Sequence, residues 1–167
     1  FLHKDGYRLI GTNYPREALN EAYGDLMDRF PLRSIEDPFA EDDPKAFAKL
    51  LADAPEGTLV VGDDLTVTNP TVIAEMIALH AGNALIIKPN QVGSLSEVYD
   101  TVRLAHEAGW KTIVSHRSGE TDDSFIADLA VGVGAYGLKA GAPSQHVRAV
   151  KYERLVQIEA EYANVLQ

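Results

Sequence analysis

Glu36, Asp63, Lys88, His116 and Lys139 each stand at or just beyond the C-terminal end of a short apolar run, and together they supply the acids, bases and cations of a reaction centre. Two carboxylates with no cysteine or histidine between them are hard oxygen donors, suited to Mg²⁺. Asp37 and Asp64 adjoin them and compete for the same role. A strand-end carboxylate also commonly caps a helix or pairs with a lysine, so neither acid means much alone. Lys88 lies in "ALIIKPNQ", directly behind strand-forming apolar residues. A lysine there either snorkels to solvent or has a chemical reason to stay. Close like charge from Lys139, with partial burial, would favour the neutral amine and let Lys88 act as a base. His116 suits either a neutral core imidazole or a contact to phosphate or carboxylate. In "SHRSGE" it is followed by Arg117 and Ser118, a guanidinium fork and a hydroxyl that fit a phosphate.

Such residues converge only if the chain brings its strand ends together. Five segments read as buried strands: "LRSIED" at 32–37, "TLVVGDD" at 58–64, "ALIIKPN" at 84–90, "KTIVSHR" at 111–117 and "YGLKAG" at 136–141. Their starts lie about 25 to 27 residues apart, the length of one strand and one crossover helix. Asp43 before Pro44, Asn69 before Pro70 and the "SLSE" box at 94–97 predict helix starts shortly after strands end. A helix is expected over about 16–30, and a long amphipathic one from about Ser144 to Tyr162, with Val147, Val150, Leu155 and Ile158 near one face. The order is one helix and then five βα units, a parallel α/β sheet. Periodicity alone leaves open whether the sheet is doubly wound or part of a barrel, but both put their active site at the C-terminal strand ends.

Composition narrows the function. The chain has 167 residues, 46% hydrophobic and 24% charged, enough for one hydrophobic core, and no linker or second domain is visible. A net charge of -10 disfavours nucleic acid and anionic membrane surfaces as partners. Any anionic ligand must therefore meet a local cluster of cations. With no cysteine there is neither a disulfide nor a thiolate metal site, and the apolar runs are too short to span a bilayer. A cytoplasmic enzyme fits this balance. "GVGAYG" at 132–137 matches a dinucleotide-binding pattern, but it follows a helical segment and precedes a strand, the reverse of the order that pattern needs.

The strings "SIEDPFAEDD", "GDDLTVTNP", "KPNQVGSLSE", "GWKTIVSHRSGETDDSFIADLAVG" and "GLKAGAPSQHVRAVKYERLVQIE" resemble, in order and near spacing, the successive signature blocks of the enolase family. The resemblance covers nearly the whole chain. It implies that residues 1–167 form a single segment of parallel βα repeats, the C-terminal five strands of an enolase-type TIM barrel. It also implies the reversible dehydration of 2-phosphoglycerate to phosphoenolpyruvate in glycolysis, with Mg²⁺ as cofactor. In that pattern Glu36 and Asp63 would be ligands of the metal that grips the substrate carboxylate, and Lys88 the base that takes the proton from the carbon bearing phosphate. His116, Arg117 and Ser118 would contact substrate, the last two at its phosphate, and Lys139 would hold the carboxylate. Metal charge is needed because a proton beside a carboxylate is too weakly acidic for a side chain to remove unaided.

Against the family pattern, the sequence begins just after a further metal aspartate and without the N-terminal domain and its mobile loops. The expectation is that the chain alone shows no appreciable dehydration and works with that missing portion or as a homo-oligomer. Two other readings remain on the residues alone. One is a non-catalytic βα module whose open sheet edges favour binding or self-assembly. The other is a Schiff-base aldolase built on Lys88, a mechanism that has no use for the Glu36 and Asp63 pair.

Overall fold

The first fifteen residues, to which the periodicity assigns no element, contain an antiparallel ribbon of β1 (Leu2–His3), β2 (Gly6–Leu9) and β3 (Thr12–Tyr14). Their residues, LH, GYRL and TNY, form no apolar run that a sequence reading could pick out. Gly6 and Gly11 give them away only in space, with φ of +130° and +81°. A Cβ on Gly6 would strike the Tyr14 carbonyl. The computed structural model describes residues 2–3, 6–9 and 11–165.

Helix α1 (Arg16–Arg29) then leads into the expected repeat: β4 (Ser34–Glu36), α2 (Pro44–Asp53), β5 (Leu59–Gly62), α3 (Pro70–Ala78), β6 (Ala84–Ile87), a single turn α4 (Pro89–Val92), α5 (Leu95–Glu107), β7 (Lys111–Ser115), α6 (Phe125–Gly132), β8 (Gly137–Lys139) and α7 (His146–Val165). The N-caps are those the sequence advertises. Asp43 accepts from the Ala46 amide, Asn69 from the Thr71 and Val72 amides, and Ser94 from the Glu97 amide. The glycine-rich "GVGAYG" joins the end of α6 to β8, so no helix N-terminus follows it. Among the described residues no helix is long and apolar enough to cross a membrane.

All five repeat strands pair in parallel in the order β4-β5-β6-β7-β8. Alternation along them sorts the core into two layers. Val60, Leu85, Ile87 and Val114 pack toward the helices, while Val61, Ala84 and Ile86 form a smaller cluster on the other face, joined by Leu59 and Ile113. Glu36 is in register with Val61, Asp63 and Lys88 follow Val61 and Ile86 by two positions, and Lys139 is in register with Ser115. Period-2 alternation thus carries the four ionic residues to the face opposite the helices.

The ribbon is fastened by aromatic rings. Phe39, in the loop after β4, meets Tyr7, Tyr23 and Phe47 edge to face, with centroids 5.8, 5.7 and 5.9 Å apart. The Tyr23 hydroxyl donates to the Pro38 carbonyl, and the Tyr7 hydroxyl accepts from the Ala40 amide. Burial, with the nearby Tyr7, pushes the Tyr23 phenol up to about 12. Phe47 is fully buried beneath this cluster. Phe47→Ala is expected to cost about 3–5 kcal/mol, seen as a lower denaturant midpoint with an unchanged slope. A loss below about 1 kcal/mol would contradict this packing.

Candidate active site

The strand ends meet on the concave face of a curled sheet. Glu36 closes the first strand of the parallel sheet and Lys139 the last, yet Lys139 Nζ lies 2.6 Å from Glu36 Oε1. Four inter-strand spacings of a flat sheet would hold those strands about 19 Å apart. The two side chains together reach only roughly 10 Å, given standard bond lengths. Curvature of the sheet makes the contact possible.

Beside it Lys88 Nζ pairs with Asp63 Oδ2 at 2.5 Å, with side chains 14% and 10% exposed. Glu36 and Lys139 are wetter, at 36% and 41%. Each of the two ammonium groups therefore takes its own carboxylate. Lys88 itself sits in extended backbone at the start of α4, and its amide donates to Thr68 Oγ1 at 2.9 Å. Thr68 in turn donates to Gln91 Oε1, and its carbonyl accepts from Thr101 Oγ1 at 2.7 Å. Val67 and Thr68 hold φ of +42° and +55°. Left-handed backbone is costly for β-branched residues, on the order of 1–3 kcal/mol each, and persists only where contacts enforce it. Gly62 lets the loop after β5 fold back, since a Cβ there would come 2.7 Å from Thr66 Cγ2.

Asp37 also lies in the left-handed region, at φ +40°. Its two carboxylate oxygens accept from the Asp63 and Asp64 amides, each at 2.8 Å. Burial raises the Asp37 carboxyl above its ordinary value; those amide bonds oppose the rise, and the Asp63 and Asp64 charges add to it. Asp37, Asp63 and Asp64 each offer an oxygen within 4.8 Å of the others. Of these, Asp37 is engaged with backbone, Asp64 is exposed, and Asp63 Oδ1 is a buried acceptor without a hydrogen-bond partner. An orphaned carboxylate oxygen among hard donors is suited to a divalent cation.

The remaining candidates lie on the loop after β7. The His116 amide donates to the Lys139 carbonyl at 2.9 Å, and Arg117 Nη1 donates to Asn90 Oδ1 at 3.2 Å, two residues beyond Lys88. Ser118 is exposed on the same loop. Contacts and chain neighbours thus close a circuit through Glu36, Lys139, His116, Arg117, Asn90, Lys88, Asp63 and Asp37. Two cations of this region escape the sequence reading. Arg148 Nη1 approaches His116 Nδ1, and Lys151 Nζ reaches Glu120 Oε2 at 2.6 Å. The available signal was the spacing of Lys151 three residues beyond Arg148 and seven before the buried Ile158.

The model of the family described as "Enolase, C-terminal TIM barrel domain" matches residues 8–167. The chain is similar to the enolase of Mycobacterium leprae, 45% identical over 156 residues covering 93% of this chain and 36% of the relative. It is similar also to the enolase of Methanopyrus kandleri, 44% identical over 161 residues, covering 96% of this chain and 38% of the relative. The chain thus spans little more than a third of the length of these relatives.

Burial, and next the Arg148 charge, push the His116 imidazole below its ordinary 6.5; Lys139 and Lys151 act in the same direction and Glu120 opposes them. Folded His116 then loses its proton at a lower pH than the unfolded chain does. Stability attributable to it should rise with pH between the folded value and 6.5 and level off above. An NMR titration of the imidazole is expected to give a midpoint below 6.5, and a midpoint above that value would contradict the arrangement.

Proposed function

The chain belongs to the enolase family, matching its C-terminal TIM barrel domain, and from that premise we propose that it carries the barrel part of a site that interconverts 2-phosphoglycerate and phosphoenolpyruvate. The observation that carries the proposal is the meeting of four strand ends in two carboxylate–ammonium pairs, Glu36 with Lys139 and Asp63 with Lys88, beside the His116–Ser118 loop. Cations of this region stand out against a chain of net charge -10, and they give a small phosphorylated acid a place to bind.

Glu36 and Asp63 are the proposed Mg²⁺ ligands, with hard oxygen donors and the unpartnered Asp63 Oδ1 in favour. When bound, Mg²⁺ would supply the charge that stabilises the dianion left when the substrate loses its proton. Lys88, partly screened from water, is the proposed base: its Nζ, as the free amine, receives the proton from the carbon that bears the phosphate. Arg117 offers a planar fork to the phosphate and Ser118 a hydroxyl, with His116 as a further contact. Lys139 holds the substrate carboxylate. Departure of hydroxide is assigned to no residue of this chain. Such a reaction belongs to glycolysis, and the proposed setting is the cytoplasm. The contribution of a single positioned base to such a reaction is typically about 10²–10⁴-fold.

In the native protein that carries this sequence, Lys88→Ala is expected to lower kcat for 2-phosphoglycerate by that factor, followed by the ultraviolet absorbance of the enol product. Unchanged turnover would remove Lys88 from the mechanism. Asp63→Asn is expected to weaken Mg²⁺ binding, measured by calorimetry without substrate. Equal affinity in the variant and the parent would remove Asp63 as a ligand.

A further inference from the structure

Helix α7 reaches back over the strand ends with Arg148, Lys151 and Tyr152, which share one face by their spacing of three and four residues. Arg148 donates from Nη1 to the Arg117 carbonyl at 2.9 Å and from Nη2 to the Ser118 carbonyl at 3.0 Å, while also contacting the His116 ring. Lys151 is the deepest lysine among the described residues, its side chain 1% exposed. Its ammonium donates to the Thr121 carbonyl at 2.6 Å and the Val147 carbonyl at 2.7 Å, and pairs with Glu120. Those three partners match the three protons it carries. Glu120 passes the connection on, because its Oε1 accepts from the Arg117 amide at 3.1 Å. The Tyr152 hydroxyl holds the Gly141 carbonyl, at 2.6 Å, in the loop after β8.

Gly141 supplies an independent sign that this contact is built in. At φ +79°, a Cβ there would lie 3.1 Å from His116 Cε1 and 3.2 Å from Arg148 Cδ. The glycine leaves room for the guanidinium to lie against the imidazole. A charged pair this deep is also poor material for stability, since well-packed apolar side chains of similar volume often serve at least as well. Its value lies in fixing a conformation.

We infer that Arg148 and Lys151 are positioning residues, holding His116–Ser118 in the shape that receives a phosphate. This rests on the reading of that loop given under the proposed function. Arg148 grips two successive carbonyls and the His116 ring just before them, so the loop cannot turn its amides or the Arg117 fork aside. Lys151, through Glu120 and Thr121, anchors the far end of the same segment.

The test is titration of the native protein that carries this sequence with inorganic phosphate, following the NMR shifts of the His116–Ser118 amides, with a thermal melt of each variant. Arg148→Lys keeps the charge but not the two-carbonyl grip, and is expected to weaken phosphate roughly tenfold, with a melting temperature close to the parent's. A double variant, Lys151→Met with Glu120→Gln, removes the buried pair without leaving one partner charged, and is expected to do the same. If the parent binds phosphate at this loop and both folded variants bind it equally well, the inference fails while the proposed function stands. If the parent shows no phosphate-dependent shift there, the phosphate role of the loop fails, and the inference falls with it. Should the double variant not fold, Arg148→Lys alone decides.

Discussion

Everything at the candidate site depends on the curl of one parallel sheet. An ion pair between its two outermost strands, from residues 103 positions apart, is possible only because the intervening strands turn the ends inward. The same curl gives the concave face a thin core of Val61, Ala84 and Ile86, small enough for the strand ends beyond it to carry polar groups without a thick apolar layer above them. On the convex side the helices bury the larger residues, and the caps that start those helices sit where each strand has just ended. Strand length, cap position and the direction of each ionic side chain are therefore linked, since a one-residue slip in any strand would turn its charged residue into the helix layer.

The parallel repeat was legible from two independent signals: a short apolar run in each unit and, after the first two strands, a cap with proline behind it. Where both are present, as around Asn69 and Pro70, the element lies where the spacing predicts it. The ribbon at β1 to β3 was not legible, because its strands carry neither a Val- or Ile-rich run nor a helix cap behind them. At the site, sequence named the residues on the strand ends but not their pairing. Lys88 is drawn to Asp63, and Lys139 to Glu36, by the arc of the sheet, which no local pattern encodes. Lys151 escaped for a related reason: a lysine in a helix reads as solvent-facing unless its partner, here Glu120 some thirty positions earlier, is already known to be underneath.

Among the described residues, three of the four non-glycine positions with positive φ lie close to the candidate site. Asp37, Val67 and Thr68 hold positive φ within the loops that carry or abut Asp63 and Lys88. Hydrogen bonds from outside each loop keep them there: Asp37 accepts two amides across to the next strand, and Thr68 is tied by Thr101 from α5. The string "GDDLTVTNP" has no compositional explanation because its order serves this geometry. Glycine opens the return, Asp63 faces the site, Thr68 holds the Lys88 amide, and Asn69 starts the next helix.

Position 37 shows how narrow such demands become. The left-handed turn there suits glycine, asparagine or aspartate, while the two amides beneath it each need an acceptor at the same short reach. Glycine has no acceptor to offer, and an amide side chain would point a donor at one of the two N–H groups. Aspartate alone meets both conditions, so this site behaves less like a variable in the sequence than like part of the backbone.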